Sequence, residues 1–186
     1  MNQAKRTERP PGRGRLTLVL IGALFALPAA VGWIAYLAGW VPGTTSNYGT
    51  LLAPRPIAAA PVAALRGKWV LLQFDGGACS PHCEKKLYYM RQVRRAQGKE
   101  MSRVERLWIV TDAIAPRAEL LSAIEGTRIA RAGAEFTAAF AAEGARTDHI
   151  YLVDPLGNLM LRFPREPDPA RMVKDLERLL KYSGFG

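Results

Sequence analysis

The chain has 186 residues, 49% of them apolar, and a formal net charge of +10. That length leaves room for one globular domain and an anchor, and excludes a multidomain chain. The charge is uneven. Lys5, Arg6, Arg9, Arg13 and Arg15 crowd the first 15 residues against Glu8 alone, and no Lys or Arg then follows until Arg55. Between them, Leu16 to Val41 carries no ionisable side chain other than Tyr36. As a helix this run reaches roughly 39 Å at ~1.5 Å per residue, enough to cross a ~30 Å hydrocarbon core with some tilt. Pro28 lies inside it, which membrane helices tolerate.

The basic flank places residues 1–15 in the cytoplasm as a tail, 16–41 as a single transmembrane helix, and everything after Val41 outside. Trp33, Tyr36 and Trp40 gather toward the outer end, as an aromatic belt does. The competing reading is a cleaved signal peptide. Against it, the apolar run continues past Ala29-Ala30 and shows no small-x-small cleavage site at its end. The expected location is the inner (cytoplasmic) membrane, with the C-terminal domain in the periplasm. Nucleic acid is excluded as a partner there. Part of the excess charge falls on one expected helix, at Lys85, Lys86, Arg91, Arg94, Arg95 and Lys99. That stripe suits anionic headgroups or an acidic protein, and equally a plain solvated face.

Residues 42–66 read as an extended linker, punctuated by Pro42, Gly43, Pro54, Pro56 and Pro61. No internal repeat is visible. From Gly67 the pattern turns α/β, and residues 67–186 read as the domain. Trp69 to Phe74 is a nearly continuous apolar run of strand length, suited to burial on both faces. Asp75-Gly76-Gly77-Ala78 turns the chain. A helix follows from Pro81 to Gln97, closed by Gly98, with Cys83, Leu87 and Met90 on one face. Leu107 to Val110 is a second buried strand. Ala118–Glu125 and Ala134–Glu143 read as short helices, with a weak strand near Thr127–Ala130. Ile150–Val153 and Leu159–Phe163 flank Asp154-Pro155-Leu156-Gly157 as a β-hairpin. Asp168-Pro169 opens a last helix striped by Met172, Leu176, Leu179 and Leu180. Strand–helix–strand, helical filler, hairpin and helix is the thioredoxin order.

Both cysteines of the chain lie in Cys79-Ser80-Pro81-His82-Cys83. Of the two histidines, His82 stands between them and His149 just before the hairpin. A four-residue separation near a helix start lets two sulfurs share a face and bond, and the helix N-terminus favours thiolate over thiol. A purely structural disulfide closing so short a loop contributes only about 2 kcal/mol, so a reactive or metal-binding pair is the better reading. In a thioredoxin topology His149 starts the strand beside that loop, where ordinary thioredoxins place a cis-proline. Two thiolates and an imidazole make a soft, low-coordinate set, suited to copper and compatible with zinc. Asp148 can hydrogen-bond the other ring nitrogen of His149 or remain solvated. His82 can stabilise a thiolate, serve as a fourth ligand, or simply be exposed. Met90, Met101, Met160 and Met172 read as packing residues.

Three segments together resemble the Sco/SenC family. They are Gly67-Lys68-Trp69-Val70-Leu71-Leu72-Gln73-Phe74, then Cys79-x-x-x-Cys83, then Asp148-His149 leading into Tyr151-Leu152-Val153-Asp154-Pro155-x-Gly157. Those proteins are membrane-anchored, thioredoxin-like factors of cytochrome c oxidase assembly. The resemblance implies one copper ion, Cu(I) or Cu(II), held by Cys79, Cys83 and His149. It also implies copper delivery to, or thiol reduction of, the dinuclear copper site of oxidase subunit II, with that subunit or other assembly factors as partners. The departures are Ser80 and Glu84 where the family carries proline after each cysteine, and Phe74-Asp75-Gly76-Gly77-Ala78 in place of its usual lead-in. A metal-independent thiol–disulfide oxidoreductase and a non-catalytic membrane scaffold are the competing readings.

Overall fold

The computed structural model describes residues 13–40, 47–57, 60–140 and 145–184. The chain divides into two units, residues 1–45 and 46–186. In the first, α1 (Arg13–Leu37) is a single helix of 25 residues with Pro28 inside it. Its stretch Gly14–Leu37 is long and apolar enough to cross a membrane once. The helix stops before Val41, the end expected from apolarity, because Gly39 turns the chain at φ +66°. Most of the basic tail lies outside the described residues.

The second unit is a six-stranded mixed sheet in the order β1-β6-β5-β2-β3-β4. Its strands are β1 (Thr50–Pro56), β2 (Trp69–Asp75), β3 (Val104–Val110), β4 (Arg128–Arg131), β5 (Ile150–Val153) and β6 (Asn158–Arg162). β2, β3 and β4 run parallel, while β5 pairs antiparallel with β2, β6 with β5, and β1 with β6. The helices are α2 (Ala60–Ala63), α3 (Pro81–Ala96), α4 (Ala118–Ala123), α5 (Ala134–Ala138) and α6 (Pro169–Tyr182). Short 3₁₀ segments also occur at Gly98–Arg103 and Arg146–Asp148.

Side-chain alternation along the buried strands builds two cores. On one face Val70, Leu72 and Phe74 of β2 join Phe136, Phe140, Tyr151 and Val153. On the other, Trp69 and Leu71 join Met90 and Val93 of α3 and Met172, Leu176 and Leu180 of α6. The thioredoxin order and the Asp154–Gly157 hairpin stand as read. In the turn, Asp154 Oδ1 accepts from the backbone N–H of Leu156 and Asn158 at 2.9 and 2.7 Å, and Gly157 sits at φ +88°.

The segment read as a linker is the main difference. Residues 50–56 form the edge strand β1, and Ile57, Val62 and Leu65 are buried in the core. Pro54 and Pro56 suggested an extended tether. They are tolerated because β1 has a neighbour on one side only and its register slips between Leu51 and Arg55. The start of the unit is fastened by Asp175 of α6, a buried carboxylate that accepts the backbone N–H of Tyr48 and of Gly49, each at 2.8 Å. Two helices are shorter than expected. α4 ends at Ala123 and α5 at Ala138; residues 141–144 lie outside the described residues.

Candidate thiol-redox site

The site is built where β2 runs out into α3. The two glycines after Asp75 are required by close approach. A Cβ on Gly77 would lie 1.9 Å from the Ile114 carbonyl oxygen, and one on Gly76 2.5 Å from Asp112 Oδ2. Asp112 locks that approach by accepting the Gly77 N–H at 2.9 Å. Cys79 then adopts the left-handed region at φ +48°. For an L-residue this costs roughly 1–2 kcal/mol, and it folds the chain back toward the helix that follows. Ser80 caps α3 by accepting the Cys83 N–H at 3.3 Å, and Pro81 fills the first helical position, where no N–H is needed. Cys79 and Cys83 are joined as a disulfide with their Cα atoms 5.2 Å apart.

Both cysteines are buried, Cys79 at 4% exposure and Cys83 at 0%, against Leu87, Trp108, Val110, Leu120 and Ile124. Gln73, read in the sequence as part of an apolar run, sits beneath them. Alternation along β2 turns it toward α3, and its Nε2 donates to Cys83 Sγ at 3.7 Å. Its Oε1 has no partner among the described residues. A carboxamide serves either protonation state of the reduced sulfur, since its N–H stabilises a thiolate and its oxygen accepts from a thiol. The signal in the sequence was one polar residue inside an otherwise apolar central strand. Beside the disulfide an open groove of about 410 Å³ runs between α3 and α4, lined by Pro81, Leu87, Tyr88, Leu120 and Ile124 among others.

His149 lies one residue before β5. Its Nδ1 is 2.8 Å from the Phe163 carbonyl oxygen. A carbonyl can only accept, so Nδ1 carries a proton, and in the neutral imidazole Nε2 is the nitrogen with the free lone pair. The ring packs edge-on against Tyr151, at 6.1 Å between centroids. Tyr151 belongs to the core on the sheet face opposite α3. In this disulfide form, among the described residues, no three His, Cys, Asp or Glu side chains are gathered closely enough to hold a metal ion. The structure unites Cys79 with Cys83 and sets His149 just before β5, the strand that pairs with β2 through Ile150 and Gln73. Asp148 does not take the other nitrogen of His149, because the Phe163 carbonyl has that place; Asp148 Oδ1 lies 3.7 Å from Arg165 Nε instead. His82 is half-buried, with Nδ1 3.6 Å from Glu166 Oε1 and a buried Nε2 that has no partner among the described residues. Lys85 meets the same carboxylate at 2.6 Å, which raises its pKa and lowers that of Glu166.

Lys86 was read as part of a solvated basic stripe. It is 1% exposed. Its ammonium reaches across the end of the sheet, donating to the carbonyl of Phe74 at 3.3 Å, to Asp75 Oδ2 at 3.2 Å, and to the carbonyl of Thr147. It thus straps the cysteine-bearing helix to the end of β2 and to the turn that leads into His149. Burial lowers its pKa, and Asp75 opposes that shift.

A closed cysteine pair at a helix start, set at the end of a mixed sheet, defines a thioredoxin-like thiol domain. The chain belongs to the family of transmembrane-like, thioredoxin-like C-terminal domains, whose model matches residues 69–183. No curated protein sequence matches it. Among solved structures it is similar to copper-bound ScoI of Bradyrhizobium japonicum, at 22% identity over 70% of this chain and 98% of that one, TM-score 0.51. It is also similar to copper-bound yeast Sco1, at 16% identity over 74% and 90% of the two chains, TM-score 0.54. A putative thioredoxin from Neisseria meningitidis matches at 15% identity over 75% and 93%, TM-score 0.50. The Sco/SenC resemblance read from the sequence thus holds at the level of the fold, and ordinary thioredoxin-like proteins share that fold.

Proposed function

We propose that the outer domain is a thiol–disulfide exchange centre held on the periplasmic side of the cytoplasmic membrane. It serves the assembly of an extracytoplasmic copper site, that of cytochrome c oxidase subunit II by family resemblance. The observation that carries this reading is the closed Cys79–Cys83 pair at the start of α3, with a neutral amide on one sulfur and an apolar groove alongside. In the reducing direction, one thiolate attacks a sulfur of the partner's disulfide and releases a partner thiolate. The second cysteine, once deprotonated, then attacks the mixed disulfide, closes the Cys79–Cys83 bond and releases the other partner thiolate. Two electrons pass to the partner, and the two protons follow its thiolates. The helix N-terminus and the Gln73 amide both favour the thiolate that each step needs.

A second reading, favoured by the tautomer of His149, is that the reduced form takes up one copper ion as cargo through Cys79, Cys83 and His149. A ligating histidine commonly has its other ring nitrogen fixed on a backbone carbonyl, as Nδ1 is here on Phe163. Reduction supplies two soft thiolates in place of the disulfide, and Cu(I) accepts three ligands. Asp148 and His82 stand nearby in the sequence without a ligand role in this reading.

One experiment tests both readings. The full chain is reduced in detergent and assayed for copper by metal analysis and for thiols by differential alkylation, as wild type and as His149→Ala. One equivalent of copper lost in His149→Ala, with disulfide formation intact, supports cargo binding. No copper in either form, with reversible thiol reactivity, leaves exchange alone. Thiols that stay unreactive after reduction overturn the exchange reading.

A further inference from the structure

The opposite end of α3 is built for something else. Arg91, Arg94 and Arg95 of α3 and Arg106 of β3 converge with Met101, Glu125 and Gly126 around a recess of about 300 Å³. Arg106 is buried, at 3% exposure. Its Nη2 donates to the Glu125 carbonyl at 2.6 Å, while Nε and Nη1 have no partner among the described residues. Leaving a buried donor unmet costs about 1–3 kcal/mol, more for a charged group. The neighbouring arginines add charge rather than relieve it. Burial, then Arg94, Arg91 and Arg95, depress the Arg106 pKa to about 10, with Glu105 opposing.

The nearby acids do not compensate. Glu105 lies 3.6 Å from Arg128, and Glu100 is paired with Arg103 at 2.9 Å. Glu125 is the one acidic residue among the described lining residues, and its side chain is exposed. None of the ion pairs among the described residues involves Arg91, Arg94, Arg95 or Arg106. Arg91 Nη1 donates to the Ala123 carbonyl at 2.9 Å and Arg94 Nε to the Val104 carbonyl at 2.5 Å, which leaves most of their five donors for other partners. Cations near the last turn of a helix offset its dipole, which accounts for Arg94 and Arg95. It does not account for Arg106, which comes from a strand. Gly126 adds a constraint of shape: it sits at φ +77°, and a Cβ there would come within 3.1 Å of Arg106 Nη2.

We propose that this recess binds a phosphate-type oxyanion, either inorganic phosphate or the phosphate of a lipid headgroup, through Arg106 together with Arg91, Arg94 and Arg95. Guanidinium forks pair bidentately with tetrahedral oxyanions, and several of them share the charge of one. A water occupies ~30 Å³ of liquid, so the recess has space for a phosphate with part of its hydration. Neither cysteine lines the recess, so binding is expected to be the same in the oxidised and reduced forms.

The test uses the full chain in nanodiscs of phosphatidylcholine, titrated with inorganic phosphate at constant ionic strength and followed by calorimetry and thermal unfolding. Saturable binding below about 1 mM and a rise in Tm are expected. Arg94→Gln and Arg95→Gln should each weaken binding about tenfold, equivalent to ~1.4 kcal/mol, with only the small loss of Tm that removing a helix-end cation brings in the absence of phosphate. Arg106→Gln should abolish binding; because it can also disturb folding, the two helix variants carry the decision. Adding phosphatidylglycerol to the discs separates the sources. A weaker apparent affinity for free phosphate in wild type, absent in Arg95→Gln, assigns the site to headgroups. An unchanged affinity assigns it to soluble phosphate. No saturable binding of phosphate with no effect of phosphatidylglycerol on Tm, or binding that Arg94→Gln and Arg95→Gln both leave intact, overturns the proposal.

Discussion

The two ends of α3 treat buried charge in opposite ways. At the N-terminal end the buried charge is compensated: Lys86 meets Asp75 and two carbonyl oxygens, and the sulfurs rest on a neutral amide and apolar side chains. At the C-terminal end Arg106 is buried with two unmet nitrogens and three further arginines around it. Compensation inside the chain fixes a geometry, which a bond-making pair needs. Charge left without a partner creates a demand that only something from outside can meet. The same helix thus joins a self-contained centre to one that is incomplete without a ligand.

The comparison breaks first if Lys86 is not the strap that the contacts describe. Lys86→Met leaves Asp75 and two carbonyls without their cation, and the expected loss is about 3–5 kcal/mol in denaturant unfolding. Its pH dependence gives a second reading. The folded pKa of Lys86 lies below its ordinary 10.5, so the unfolded chain binds more protons between the two values. Wild-type stability should therefore rise with pH across that window. The gap between wild type and Lys86→Met should widen there, and a gap that narrows would deny the depressed pKa.

A smaller effect follows from the disulfide. Closing a loop of about five residues stabilises by about 2 kcal/mol on the chain-entropy model, so Cys79→Ser should lower stability by that amount. Phosphate binding at the far end of α3 should be unchanged in Cys79→Ser, which would show that the two ends act independently.

Gln73→Leu sharpens the contrast further. It removes a donor to sulfur together with an unmet Oε1, so stability should change by less than ~1 kcal/mol. The pH profile of Cys83 alkylation in the reduced chain should move to higher pH, because the amide no longer stabilises the thiolate. An unshifted profile would remove Gln73 from the site. The smallest effect is expected at Glu166, which is exposed. Glu166→Gln should leave Tm unchanged while the Lys85 pKa falls back toward its ordinary value, as followed by NMR titration.

The elements legible in the sequence were those with a local cause. The apolar run of α1, the Ser80-Pro81 and Asp168-Pro169 helix starts, the Asp154–Gly157 turn and the buried strands all declare themselves within a few residues. The Cys79–Cys83 bond belongs with them, since four residues at a helix start are enough to permit it. Elements whose cause lies elsewhere in the chain were missed. β1 is a strand because β6 offers it an edge, and no local pattern in a proline-bearing stretch reports that. Lys86 looks like any lysine of a basic stripe until Asp75 and Thr147 are brought against it.

By itself, then, the sequence determined the apolar N-terminal helix, the thioredoxin order and the identity of the bonded cysteine pair, because periodicity, capping and scarce residue types act over one or two turns of chain. The tertiary structure alone decided which polar residues face those elements. Alternation along β2 put Gln73 under the sulfurs, and the Phe163 carbonyl rather than Asp148 took the Nδ1 proton of His149. Parallel pairing of β2 with β3 set Arg106 beside Arg91, Arg94 and Arg95. Those encounters join residues far apart in the chain, and whether a buried charge is met or left unmet is a property of the encounter, not of either residue.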